Sequence, residues 1–310
     1  MDNKTSGVCQ LKWYSEYVRR KDLLLMLLPP IMFFAVFNYV PMAGIVIAFK
    51  DFSISSGIVG SPWCGLQNFR DLFINDQFML SLKNTLVISI LKLFFGFLAP
   101  ILLALLLNEL RINWFKRTIQ TVTYLPYFFS WVVLGGIFIM LFSTGGPVNT
   151  IAKHVYGEPI AFMTNSYWFL FIIVATAVWQ TVGYGAIIYL AALSGISPTL
   201  YEAAVVDGAD RWQQTVHITI PSLMPTIITM FILSLGGILN AGFDQIFNMY
   251  NPMVYGVSDI LDTYALTLLQ DMNYSLGTAV GLFKSFVGMF LIVFSNFLVR
   301  KISKDEHGIW

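Results

Sequence analysis

The chain has 310 residues, of which 57% are hydrophobic and only 11% are charged. A soluble domain averages roughly 45–50% apolar and about 25% charged, so the composition excludes a water-covered globule and points to a membrane protein. A net charge of +1 offers neither the basic surplus of a nucleic-acid binder nor a strongly acidic surface.

Residues 1–22 are polar, with Lys12, Arg19, Arg20 and Lys21 interleaved with Trp13, Tyr14 and Tyr17. This pattern predicts a cytoplasmic segment lying at the membrane interface. No apolar stretch precedes Cys9, and the first apolar run is too long for a cleavable signal. Cys9 and Cys64 are expected on opposite sides of the membrane, so no disulfide between them is expected.

Six apolar runs follow, each near the length of about 20 residues that a span requires. They cover 23–49, 82–107, 119–142, 167–193, 223–243 and 279–299. Pro41, Pro100 and Pro126, with Gly183 and Gly185, predict bent helices packed on protein rather than rods bathed in lipid. The chain therefore divides into a six-span domain over 23–299 and polar ends at 1–22 and 300–310. Gly277 and Gly281 are spaced for close helix packing at the start of the sixth span.

Basic residues orient the bundle. Twelve of the 18 Lys and Arg residues fall in the two ends, at 111–117 and at Arg211, whereas 244–278 has none. Both termini and the loop around residue 202 are therefore expected in the cytoplasm. The outer loops at 50–81 and 143–166 could then meet an external solute receptor.

Phosphate loops, zinc-protease helices and serine nucleophile elbows are all missing from the sequence, and His154, His217 and His307 are scattered. No catalytic residue and no metal site are expected. The informative polar groups lie within or at the ends of spans. Trp179, Gln180, Tyr184 and Tyr189 mark the fourth span, and Asn240, Asp244 and Gln245 close the fifth. Polar side chains at membrane depth usually face the bundle interior or a water-filled path. Aromatic faces beside amides and a carboxylate suit sugars, so Asn240, Asp244, Gln245, Trp179 and Tyr184 are the candidate substrate path. Asn240 and Asp244 are expected as an i,i+4 pair on one helix face. Lys92 and Lys284 are expected to snorkel or to pair with acids.

A polar island separates the fourth and fifth spans, at about 194–222. Ser197 and Pro198 fit an N-cap and first helical turn. Glu202, Ala203 and Ala204 follow, then Asp207, Gly208 and Ala209. Gly208 marks a tight turn, and a second amphipathic piece starts at Arg211 and is expected to end at Pro221.

The spacing resembles the "EAA" loop of binding-protein-dependent ABC importer permeases. Glu202-Ala203-Ala204 is followed after three residues by Gly208, nine residues later by Ile218, and then by Thr219-Ile220-Pro221. Ile220 departs from the family's leucine. Residues 124–133, 242–247, 251–255, 262–264 and 279–285 are similar to segments of oligosaccharide and polysaccharide importer permeases, the alginate- and pectin-oligosaccharide kind among them.

The resemblance implies an all-α integral membrane protein of the bacterial cytoplasmic membrane, a six-span bundle of the type I ABC importer permease kind. It implies a cytoplasmic coupling helix at Glu202, Ala203, Ala204, Asp207, Gly208 and Ala209. The implied partners are a second homologous permease, two ABC ATPase copies that hold ATP and Mg, an extracytoplasmic solute-binding protein, and membrane lipid. The implied cargo is an oligosaccharide. An ion-coupled secondary transporter of a small polar solute is the alternative, although no inverted repeat is visible.

Overall fold

The structure, a computed structural model, describes residues 21–302. Most of the expected interfacial segment, Cys9, His307 and the tail beyond 302 lie outside the described residues. In hydrocarbon every backbone amide must be satisfied within the chain, and helices satisfy that demand locally. Accordingly the described residues form helices joined by short turns, with one isolated bridge between Lys50 and Trp63.

Six helical stretches are long and apolar enough to cross a membrane. The first comprises α1, Lys21–Phe34, a π turn at Ala35–Tyr39, and a 3-10 segment at Ala43–Phe49. Its apolar side chains from Leu23 to Val40 are exposed in the single chain. This run of large apolar residues has no facing helix within its own chain. A connecting segment with α2, Gln67–Ile74, leads to α3, Asp76–Glu109. The Asn75 side chain accepts from the Gln77 and Phe78 amides and so fixes the start of α3.

The third membrane-length stretch is Trp131–Tyr156 rather than the expected 119–142, because the helix breaks before Trp131. α4, Asn113–Tyr124, runs into a 3-10 turn at Leu125–Phe128, and α5, Trp131–Phe142, restarts with Ser130 as its cap. Phe129 falls between the 3-10 turn and the restarted helix, and its carbonyl accepts from the Gln180 amide at 3.2 Å. After α6, Pro147–Tyr156, comes α7, Ser166–Ser194. α3 and α7 form the most extensive helix pair in the chain. A Cβ on Gly183 would lie 2.1 Å from the Thr123 carbonyl, so glycine is what lets α7 touch α4.

α8, Pro198–Val206, and α9, Arg211–Gln214, form the knob between spans. Pro221 does not end the second piece. α9 passes through a π turn at Thr215–Thr219 into α10, Ile220–Gly236. A π turn likewise ends two residues before Pro41. The widened turn opens the helix where proline lacks an N–H and its ring would press on the preceding turn.

α10 stops at Gly236, seven residues short of the expected end of the fifth span. An irregular stretch leads to Gly242, whose φ of +86° is left-handed, and then to α11, Phe243–Met249. α12, Leu261–Gln270, and α13, Tyr274–Ile302, complete the chain. α13 approaches α10 at Gly288, where a Cβ would meet the Gly236 carbonyl at 2.8 Å. Of the expected pair, Gly277 lies against Leu269 and Gly281 has open space beside it, so neither makes this crossing.

Candidate functional site: a coupling knob and a cavity at the fifth-span break

The knob is a helix, a left-handed glycine and a second helix start. Gly208 has φ +77°, and the Ala209 amide returns to the Ala204 carbonyl at 2.8 Å. Asp210 caps α9 by accepting from Gln213 N at 2.7 Å, while the Gln213 side chain accepts from Asp210 N, a reciprocal box. Ser197 precedes α8, but its hydroxyl bonds to that of Thr199 rather than to the backbone. Two ties hold the knob to the spans: Tyr201 meets Thr219 at 3.0 Å and Arg211 donates to Glu109 at 2.8 Å, while Gln214 donates to the Ala209 carbonyl within the knob.

Glu202, Ala203, Asp207 and Gly208 are exposed, and Ala204 and Ala209 are half-buried. No residue of α8 is buried within the chain. The six expected coupling residues therefore form one accessible surface, edged by the exposed apolar residues Leu200, Val205 and Val206.

The expected substrate-path residues separate into three places. Asn240 sits in the break after α10 and Asp244 in the first turn of α11, so they are not an i,i+4 pair on one helix. The cause is the Gly236-Gly237 and Gly242 punctuation, which ends one helix and re-aims the chain before the next. Asn240 lies on the walls of four adjoining clefts of about 310, 610, 730 and 220 Å³. Asp244 is exposed on the second, beside Asp262 and Lys284. An acid in a first helical turn is also favoured by the dipole.

Gln245 lines two of these clefts with Asn240, yet it is buried and its polar atoms are bonded inward. Its amide donates to Ile173 O and Thr176 Oγ1, both at 2.8 Å, and its oxygen accepts from Lys92. Trp179 and Tyr184 are exposed on α7 and are not among the residues lining these clefts. Tyr184 stacks on Tyr127 with ring centres 3.9 Å apart, and Trp179 meets Phe138 edge-on.

The two intramembrane lysines differ. Lys284 pairs with Asp262, as expected. Lys92 pairs with no acid among the described residues and instead donates to the Ala241 carbonyl at 2.6 Å and to Gln245. A Cβ at position 242 would lie 2.8 Å from its Nζ. Glycine there serves both the left-handed turn and the approach of the ammonium.

Sequence reasoning missed a polar stripe on α3. Gln77, Ser81, Asn84, Thr85, Ser89 and Lys92 recur at helical spacing on one face. Asp259 gathers the upper part, accepting from Gln77 at 2.5 Å, Ser81 at 3.0 Å and Thr263 at 2.5 Å. Asn84 donates to the Asp259 and Gly256 carbonyls, and Thr85 accepts from Leu261 N. These bonds fasten the 256–261 segment to the second span. The three- and four-residue spacing of polar side chains within an apolar run was the available signal.

A knob bracketed by six spans, with a broken fifth span beside an internal cavity, matches known transport proteins. The sequence profile of a family described as binding-protein-dependent transport system inner membrane component matches residues 96–305. The chain belongs to this family. The Bacillus subtilis protein LplB is 41% identical over 302 residues, 97% of this chain and 94% of that protein. The polygalacturonan/rhamnogalacturonan transport system permease protein YteP of the same species is 43% identical over 295 residues, 94% of this chain and 91% of its own.

A permease chain in the crystal structure of a bacterial ABC transporter that imports the acidic polysaccharide alginate superposes with a TM-score of 0.86. It is 38% identical and covers 94% of this chain and 99% of its own. A chain of a bacterial alginate ABC transporter in complex with an alginate pentasaccharide-bound periplasmic protein gives 0.86 at 37% identity, over 96% of this chain and 99% of its own. The chain is thus a multi-pass transport permease with the type I ABC importer fold. Neither family nor fold gives the ion-coupled alternative any support.

Proposed function

We propose that this chain is one of two permease subunits of an ATP-driven importer for an oligosaccharide handed over by an external solute-binding protein. ATP and Mg are held by two partner ATPases, and this chain supplies no catalytic group. One ATPase docks on the surface of Glu202, Ala203, Ala204, Asp207, Gly208 and Ala209. Both termini and this knob face the cytoplasm of a bacterial cell. The observation that carries the reading is the knob itself, exposed at its tip and tied at its base to the second and fifth spans through Arg211–Glu109 and Tyr201–Thr219.

Such ties let a rigid displacement of the knob reach the spans. The break at 237–242 sits where the clefts converge, so a shift of α10 against α3 and α13 changes the cavity walls. Asn240 and Asp244 then line the path, and Gln245 and Gln180 hold its frame. The relatives' cargoes, alginate and polygalacturonan, support an oligosaccharide substrate.

The test is uptake into vesicles holding the full complex, with ATP inside and oligosaccharide outside. Uptake should require both ATP and the binding protein. Uptake driven by an ion gradient without ATP would overturn the reading.

A further inference from the structure

α4 is amphipathic, yet none of its residues is buried within the chain. Trp114, Phe115, Thr118 and Val122, with Leu125 just beyond, recur at three- and four-residue spacing and are all exposed. They form one face. The contact that α4 makes with α7, at Thr123 and Gly183, leaves this face uncovered.

Charge gathers at one end of the helix. Arg111 precedes α4, and Lys116 and Arg117 fall in its first half. Both arginines are exposed and Lys116 is half-buried. None of the three forms an ion pair among the described residues. Glu109 is committed to Arg211, and residues 110–157 contain no Asp or Glu. The Glu109–Arg211 pair also puts this basic end beside the knob.

Along the helix the cations come first, then Trp114 and Phe115, then Val122 and Leu125. A single leaflet presents the same order, from anionic headgroups through the interface, where tryptophan is enriched, to hydrocarbon. At about 1.5 Å per residue α4 is about 18 Å long, close to the thickness of one leaflet with its headgroups. Lysine and arginine stems lie along apolar surface while their heads reach outward. A docked protein would have no reason to repeat that gradient, and three unpaired cations call for a negative partner.

We propose that α4 is a binding surface for an anionic phospholipid in the leaflet on the knob's side of the membrane. Arg111, Lys116 and Arg117 hold the headgroup, and the acyl chains lie along Trp114, Thr118 and Val122. The lipid braces the junction between α3 and α4, next to the Glu109 carboxylate that ties the knob. Lipid contact is measured without transport, so the outcome does not depend on the cargo.

The test places the complete complex in phosphatidylcholine vesicles, with Thr118→Cys carrying a bimane fluorophore and every other cysteine replaced. A minor fraction of the lipid is brominated in its acyl chains, as either phosphatidylglycerol or phosphatidylcholine, and bromine quenches on contact. The glycerol lipid should quench about threefold more than the choline lipid at low salt, and the two should converge as salt screens the cations. Arg111→Gln, Lys116→Gln and Arg117→Gln combined should remove the preference. Arg111→Lys with Arg117→Lys should keep most of it.

Quenching by neither lipid would mean that a protein partner covers the face, and would overturn the proposal. Equal quenching by both at low salt would reduce the surface to plain hydrocarbon contact. A preference that survives high salt or the glutamine variant would place its source elsewhere, and either result also overturns the proposal. The salt series keeps all three cations, so it decides the matter even if the glutamine variant fails to assemble.

Discussion

The Lys284 ammonium lies 2.7 and 2.8 Å from the two carboxylate oxygens of Asp262 and bridges α13 to α12. Both side chains are about a quarter exposed, at 24% and 26%. Breaking a buried pair costs about 3–5 kcal/mol, and an exposed pair is worth about 0.2–1 kcal/mol, so this one should fall near 1–3 kcal/mol. Asp262→Asn should destabilise the detergent-purified complex by that amount, read as a lower thermal midpoint. Asp262→Asn with Lys284→Gln should recover much of the loss, since no charge is then stranded. Equal stability of the single variant and wild type would rule out a stabilising role for the pair.

Gly208 tests the coupling knob. Its φ is left-handed and nothing lies within 4 Å of a Cβ there, so a side chain meets only backbone strain. That strain is about 1–2 kcal/mol for an ordinary L residue, and less for Asn. Gly208→Asn should keep ATPase co-purification and transport near normal. Gly208→Val should reduce both several-fold while the spans still insert. Glu202→Lys, which reverses an exposed charge on the same surface, should weaken ATPase capture without disturbing the knob's fold. Normal ATPase capture by Gly208→Val and Glu202→Lys together would place the docking surface elsewhere.

Much of this architecture was legible in advance, because the signals were local. Six apolar runs each reached span length, and the Gly208 turn was written in a residue with one favoured backbone role. The break after Gly236 was misread because the apolar run continues through Ile238, Leu239 and Ala241, which hides the punctuation. Gln245 was assigned to the path on polarity alone. Its partners, Ile173, Thr176 and Lys92, lie far away in sequence, so only the fold reveals that its amide is already spent. Lys92 was expected to find an acid or to snorkel, and the structure gives it a carbonyl and an amide oxygen instead.

Sidedness has a direct test. With Cys9 and Cys64 changed to Ser, a cysteine at Met253 should react with a membrane-impermeant maleimide from outside intact cells. A cysteine at Val206 should react only after lysis. Both positions are well exposed, at 74% and 87%. Ser258 in the same outer segment is fully buried and would report packing instead. The opposite pattern would invert the orientation.

Asp244 is exposed on the cleft that also holds Asp262 and Lys284. If it faces cargo, Asp244→Asn removes a negative charge from the path wall. Uptake of an acidic oligosaccharide relative to a neutral one should then rise about two- to fivefold, with the yield of assembled complex unchanged. A lower yield with an unaltered ratio would make Asp244 a structural acid of the α11 first turn.

The last prediction concerns Asp259, whose carboxylate is buried and accepts from Gln77 and Ser81 on one oxygen and from Thr263 on the other. Asp259→Ala strands the buried Ser81 hydroxyl, worth about 1–3 kcal/mol when left unmatched, and removes the partner of Gln77. Asp259→Asn is a gentler change for a specific reason. Its amide oxygen can still receive Gln77 and Ser81, and its amide nitrogen then faces Thr263. That hydroxyl can accept instead, because its own hydrogen has a second outlet in the Ile260 carbonyl at 2.9 Å. The asparagine variant should therefore lose less than half the thermal stability that the alanine variant loses. Asp259→Ala should also weaken ATP hydrolysis stimulated by the loaded binding protein, because 256–261 is then unfastened from α3 on the face where that protein would dock. If asparagine proves as damaging as alanine, the negative charge rather than the bonding pattern holds this corner together.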